Sequence, residues 1–381
     1  MGLNVSPRGH KALRKPSIIQ KSGYPLAALP DLSQRPHKTG QARISGGASW
    51  GCLLIAHQRR PPLLARWTDT SSYHRRMFSY RHAYHAGNHA DVLKHTVLIA
   101  ILKHMCAKDA DLCAIDTHAG AGLYRLDGAP AQTSGESLEG LLALVGRLVQ
   151  RQQAPAPALR DYLDVLASFN PDDVYKVYPG SPFVMQHLMR RNDKIKLFEW
   201  HPTDVRALAG HVEQLRVGRQ VAVLREDGFV GLRKFLPPPS RRGLVLIDPS
   251  YEIKTDYARV SECIQDSLKR FSTGTYAVWY PIIPRMEAHD LPKRLKTLSL
   301  QSQKPWLHAT LTIKSGQQAS AGDALGSDGK PKRPGLAASG MFVINPPYTL
   351  NEQLKAALPD MVELMGQDGH ATHSLEIGGT H

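Results

Sequence analysis

The run Leu244-Val245-Leu246-Ile247 is apolar at every position and stops abruptly at Asp248-Pro249-Ser250-Tyr251. An apolar run without alternation suits a strand covered on both faces, as in a parallel sheet flanked by helices. Parallel strands in turn need long, usually helical crossovers between them, so this one run constrains the rest of the chain. Ligands of such sheets bind at the carboxyl ends of the strands. Asp248 to Tyr251 therefore fall where chemistry is expected, and they offer an acceptor, a rigid turn with a free carbonyl and a flat ring. That set fits an exocyclic amine on a planar base, although an ordinary Asp-Pro turn explains the same residues.

The remaining pattern agrees with a layered α/β fold. Candidate strands fall at Leu112–Asp116, Ile195–Glu199, Gln220–Leu224, Gly243–Ile247, Thr275–Tyr280, Leu307–Ile313 and Met341–Asn345. Helical spacing links Leu93, Val97 and Ile101, and again Leu138, Leu141, Leu142, Val145, Leu148 and Val149. This alternation predicts a seven-stranded, doubly wound sheet over residues 77–381. Two connections exceed ordinary loop length. Residues 125–193 contain two helical patterns and are expected to form a small helical insertion. Residues 315–340 are polar, Gly-rich and aperiodic, and are expected to be a flexible loop.

Composition narrows the setting. Four cysteines (Cys52, Cys106, Cys113, Cys263) form no C-x-x-C pair, so no disulfide framework is indicated and a reducing, cytoplasmic location is expected. The longest apolar tract, near Trp50 to Ala56, is far too short to span a membrane. The formal charge of +15 is concentrated in residues 1–76, where 13 Lys and Arg face only Asp31 and Asp69. That segment is rich in Pro, Ser, Gly and Arg without periodicity, so it is expected to be a disordered basic leader. An RNA-touching arm, a transit-like peptide and a misplaced start all fit it, and the ordered pattern that opens at Met77 favours the last.

Four successive strand ends carry polar constellations. Asp116 to Tyr124 reads DTHAGAGLY, in which Gly120 and Gly122 permit close backbone approach to a ligand, but it is not the dinucleotide fingerprint. Glu199 ends the second strand, where nucleotide folds place an acid for the ribose hydroxyls, although a surface glutamate reads the same way. Asp227-Gly228 follows the third strand, and Asp248-Pro249-Ser250-Tyr251 the fourth. Asn345 to Tyr348 reads NPPY, a second candidate acceptor turn, but it follows the last strand, whereas the three other tips precede Asp248 in the expected order. His85 and His89 have the i, i+4 spacing of a zinc pair, yet Gly87-Asn88 lies between them and no third ligand is clustered, so no metal is expected.

The four tips together resemble the class I S-adenosylmethionine methyltransferases, in which [DN]-P-P-[YF] after the fourth strand marks methylation of an exocyclic amine. A more specific resemblance follows from YRHAYHAGNHADVLKH, DTHAGAG, YPGSP, EDGF, SRRGLVLIDPSYE, KTDY, YAVWYP and SGMFVINPPY. The sequence is similar to the RlmJ family, the 23S rRNA (adenine-N6)-methyltransferases, over essentially all of residues 77–381. The resemblance implies S-adenosyl-L-methionine as cofactor, held by His95, His118, Gly120, Ser181, Glu199, Asp227, Gly228 and Asp248. It implies catalysis by Asp248 and Pro249, with Tyr251 stacked on the base, and 23S rRNA met by Tyr80, His82 and Lys94. The expected enzyme is a soluble monomer without metal. Two departures stand out: Ser250 replaces the pattern's second proline, and the loop from Ser315 is longer than its counterpart. Methylation of DNA adenine or protein glutamine, and a non-catalytic nucleic-acid-binding role in DNA uptake or use, remain the alternative readings.

Overall fold

The computed structural model describes residues 81–151, 153–172, 174–315 and 335–379, so the leader, Tyr80 and most of the expected 315–340 loop lie outside the described residues. In chain order the strands are β1 (Cys113–Asp116), β2 (Leu123–Arg125), β3 (Val177–Pro179), β4 (Lys194–Phe198), β5 (Val221–Leu224), β6 (Gly243–Ile247), β7 (Thr275–Ile282), β8 (Trp306–Thr312), β9 (Ala338–Ile344) and β10 (Thr372–Gly378). Eight of the described strands form one sheet, ordered β10-β8-β9-β7-β6-β1-β4-β5, while β2 and β3 pair separately. The segment from β5 to β7 through β4, β1 and β6 is parallel, and β9 and β10 run antiparallel to their neighbours.

The surroundings of β6 explain why its apolar run lacks alternation. All five residues of β6 are buried. Leu244 and Leu246 enter the core shared with the helix His89–Ala107, whereas Val245 and Ile247 enter the core shared with the helix Thr255–Arg270. Each such fully buried side chain stabilises the fold by roughly 1.5–3 kcal/mol. Among the described residues, no helix is long and apolar enough to cross a membrane.

The sheet has eight strands rather than the expected seven. The eighth, β10, carries THSLEIG, with no fully buried residue, and pairs along the outer edge of β8. An exposed polar edge strand lacks the apolar run that identifies an interior one. Strand β9 starts at Ala338, not Met341, because Ala338-Ser339-Gly340 are small residues under close cover. A Cβ at Gly340 would lie 2.5 Å from the Tyr280 ring.

Between β2 and β3 lie the helices Ala129–Ser134, Glu136–Glu139, Leu141–Arg151 and Pro157–Ser168. The expected single apolar stripe from Leu138 to Val149 is interrupted at Gly140, and Leu138 and Val149 are exposed. The break has a steric reason. Leu141 N donates to Gly87 O at 2.8 Å, and a Cβ at Gly140 would lie 2.3 Å from that carbonyl. The segment that precedes the helix His89–Ala107 thus packs directly on the glycine.

Asn170 ties the last helix of this region to the start of β3. Its side chain donates to the carbonyls of Leu166 and Val177 and accepts from the amides of Lys176 and Val177. This fixes the approach to β3, which leads into the helix Ser181–Leu188. Asn170→Ala leaves buried backbone groups without partners, so it is expected to lower the unfolding free energy by roughly 1–3 kcal/mol. Chemical denaturation measures this, and a change below about 0.5 kcal/mol would show that the four bonds are dispensable.

Candidate active site

The chain folds its polar tips to one place because β1, β4, β5 and β6 are adjacent and parallel, so their carboxyl ends share one edge. A cavity there is lined by His82, Lys94, His95, His118, Gly120, Ser181, Glu199, Asp227, Gly228, Asp248 and Pro249, all of them singled out from sequence. Thr117, Tyr124, Trp200, Asp204, Phe229, Ser250, Asp256 and Arg259 complete much of the wall. Asp256 and Arg259 sit one helical turn apart after β6; Asp256 falls within KTDY without having been singled out for the site, and Arg259 lies outside every motif, so only the packing reveals their place in the wall.

Local geometry holds each tip. Gly120 lies at φ +61°, and its amide donates to Glu199 Oε2 at 2.8 Å, while His201 N donates to Oε1 at 2.6 Å. Gly228 must be glycine, since a Cβ would stand 2.0 Å from Thr117 O. Asp227 caps the short turn after it through Phe229 N at 3.0 Å and is held by the Arg259 guanidinium, which lies over the Phe229 ring. Asp116, buried at the end of β1, accepts from Ser181 Oγ at 2.6 Å and from His118 N at 3.1 Å.

The helix His89–Ala107 contributes the remaining wall. Asn88 caps its first turn by accepting from Asp91 N, and Asp91 in return accepts from Gly87 N at 2.9 Å. Asp91 also meets His82 Nε2 at 3.0 Å and Lys94 Nζ at 2.9 Å. From there the Lys94 ammonium reaches Asp248 Oδ2 at 2.6 Å. At the next residue, His95 Nδ1 bonds Tyr178 Oη at 2.8 Å, and its Nε2 is buried without a partner.

Burial sets the protonation pattern. It pushes Glu199 up to about 7 and Asp116 to about 6, against the amide and hydroxyl bonds that oppose the shift. It pulls His95 down to about 3 and His118 to about 4, so both are neutral imidazoles. Burial also opposes the Lys94 charge, but the carboxylates of Asp248 and Asp91 outweigh it and raise its pKa.

Two expectations change. Tyr251 does not line the cavity: its ring is buried against Tyr257 and Trp279, and its hydroxyl donates to Trp279 O at 2.6 Å. The ring therefore anchors the turn from behind and is not offered to a base. Lys94 is buried between two carboxylates and does not stand on an open RNA-facing surface, while His82 is partly exposed. The NPPY turn is elsewhere. Strand β9 is antiparallel to β7, with Ile344 opposite Tyr276 near the start of β7, which puts Asn345 at the other edge of the sheet. Its side chain ties down the carbonyls of Ser272 and Gly274.

A family profile described as Ribosomal RNA large subunit methyltransferase D, RlmJ, matches residues 109–376. The chain belongs to this family. A protein of Escherichia coli (strain K12) named Ribosomal RNA large subunit methyltransferase J is 39% identical over 300 residues, covering 78% of this chain and 98% of that one. Its namesake in Haemophilus influenzae is 37% identical over 301 residues, covering 79% and 98%. A crystal structure of a Legionella pneumophila protein superposes with a TM-score of 0.65 at 29% identity, covering 77% of this chain and 98% of that chain. RlmJ membership agrees with the class I methyltransferase fold expected from sequence.

The Glu199 shift has a measurable sign. Its folded pKa of about 7 exceeds the ordinary 4.5, so the folded protein retains a proton that the unfolded chain releases between those values. Relative to Glu199→Gln, the wild type is expected to lose stability as pH rises from about 4.5 to about 7, with a constant difference above that. Paired unfolding titrations test this, and a difference independent of pH would contradict it.

Proposed function

We propose that this RlmJ-family chain transfers a methyl group from S-adenosyl-L-methionine to the exocyclic N6 of an adenine in 23S rRNA. The observation that carries this reading is that Asp248 and Pro249 share one cavity with Glu199, Asp227 and Gly228. An amine-binding turn thus adjoins a nucleoside-type pocket.

The cavity suits the cofactor. Glu199, Asp204, Asp227, Asp248 and Asp256 outnumber Lys94 and Arg259 in its wall, which favours a ligand bearing sulfonium and ammonium charges. His95 Nε2, buried and lacking a partner, is a polar group ready to meet a ligand. Gly120 and Gly228 let the cavity wall close up, since a Cβ would collide with Tyr124 Oη at the first and with Thr117 O at the second. His95, His118, Gly120, Ser181, Glu199, Asp227, Gly228 and Asp248 would hold it, with Glu199 for the hydroxyl pair and Asp227 for the adenine amine. S-adenosyl-L-methionine, when bound, supplies a methyl group made electrophilic by its sulfonium.

The chain's own part concerns the nitrogen. The lone pair of an adenine amine is delocalised into the ring, which makes it a weak nucleophile. Lys94 occupies Oδ2 of Asp248, so Oδ1 is the oxygen left to accept one N–H. The Pro249 carbonyl accepts the other. Two acceptors set in this way draw the nitrogen towards tetrahedral geometry and localise its lone pair. As positive charge develops on nitrogen, Oδ1 is in place to take the proton. Orientation of this kind contributes up to ~7–11 kcal/mol in well-aligned systems. His82 and Tyr80 are assigned to the RNA, and a paired adenine would first have to leave its stack.

Asp248→Asn keeps the shape of the side chain but offers one carbonyl oxygen in place of a carboxylate. It is expected to leave cofactor binding weakened but measurable by calorimetry and to lower methyl transfer to protein-free 23S rRNA by at least about 10²-fold. Transfer at the wild-type rate would exclude Asp248 as the acceptor.

A further inference from the structure

The acceptor turn lacks one of its two stiffening residues. In a [DN]-P-P-[YF] turn the second proline fixes its own φ near −65° and restricts the residue before it. Here Ser250 occupies that position, so neither its own φ nor the ψ of Pro249 is limited by a ring. Yet the Pro249 carbonyl is one of the two atoms proposed to hold the amine, and a loose turn would blur its direction.

The structure places compensating restraints one residue further on. Tyr251 lies at φ +53°, a left-handed conformation that costs a non-glycine residue roughly 1 kcal/mol or more and persists only when its surroundings over-determine it. Its ring is 2% exposed and wedged 4.6 Å from the Tyr257 ring, with its hydroxyl bonded to Trp279 O. Its carbonyl accepts a bond from Arg285 Nη1 at 3.1 Å. Arg285 is itself fixed: it is the N-cap of the helix Met286–Gln301, its amide bonds Ile283 O, and its carbonyl receives Ala288 N. The turn is therefore gripped through side chain and main chain at Tyr251, from β7 and the residues after it.

We propose that Arg285 is a positioning residue that holds the Asp248–Tyr251 turn in its amine-binding shape, taking over the restraint that a second proline would supply. The inference rests on the function proposed above. It assigns Arg285 no contact with the reacting atoms: the guanidinium acts through the Tyr251 carbonyl on the peptide units leading back to Pro249. A misplacement of about 1 Å at an acceptor is enough to change rate by up to roughly 10²-fold.

Rescue separates this role from a direct contact between Arg285 and an RNA phosphate. The full chain and its Arg285→Ala, Arg285→Gln and Arg285→Ala/Ser250→Pro variants are compared for kcat and KM on a 23S rRNA transcript, with cofactor dissociation constants and thermal midpoints measured alongside. Arg285→Ala is expected to lower kcat roughly 10–100-fold with little change in KM for RNA. Adding Ser250→Pro should recover most of that loss, because a ring at 250 restores the restraint. Arg285→Gln, which keeps a donor but no charge, should fall between wild type and Arg285→Ala. A double variant no faster than Arg285→Ala, or an Arg285→Ala effect confined to KM for RNA, would overturn the proposal. The Asp248→Asn control keeps the two questions apart: an active wild type with an inactive Asp248→Asn upholds the methyltransferase reading whatever Arg285 shows.

Discussion

The buried ammonium of Lys94 joins the two halves of the site. It sits between Asp91 on its own helix and Asp248 at the end of β6, residues 154 positions apart in the case of the latter pair. A charge so enclosed is tolerated because carboxylates face it, and with two of them in contact the loss of one leaves the other to pair with the ammonium. The same contact sets the orientation of Asp248 by occupying one oxygen and leaving the other to the cavity. His82 joins the network through Asp91, so the segment before the helix, the helix itself and the sheet edge are registered against one another electrostatically.

Around that centre the wall is built from backbone as much as from side chains. Glu199 receives two amides, Asp116 an amide and a hydroxyl, and Asp227 an amide and a guanidinium. Each carboxylate is thus aimed before any ligand arrives. Burial, and to a lesser degree the neighbouring carboxylates, raises the pKa of Glu199 and Asp116.

Much of this was legible in the chain itself. The boundaries of β6 coincide with the reading of its apolar run, since a strand covered on both faces must be apolar throughout. The polar tips were legible because parallel strands deliver their ends to a common edge. What escaped were features decided by distant partners. Tyr251 faces away from the cavity because Trp279 and Tyr257 receive it, and nothing within the turn's own sequence records those neighbours. Gly140 interrupts an otherwise continuous stripe because Gly87 packs against it. Strand β10 is polar because only an edge was left for it.

The antiparallel insertion of β9 has one more consequence. Because β9 starts opposite Ile282, at the end of β7, the chain leaves β8 and enters β9 on the same edge of the sheet as Asp248. Residues added between these two strands disturb no ladder pairing, and closing a flexible connection of twice the length costs only about 0.6 kcal/mol. The length of chain between β8 and β9 can therefore vary without altering the sheet that carries Asp248.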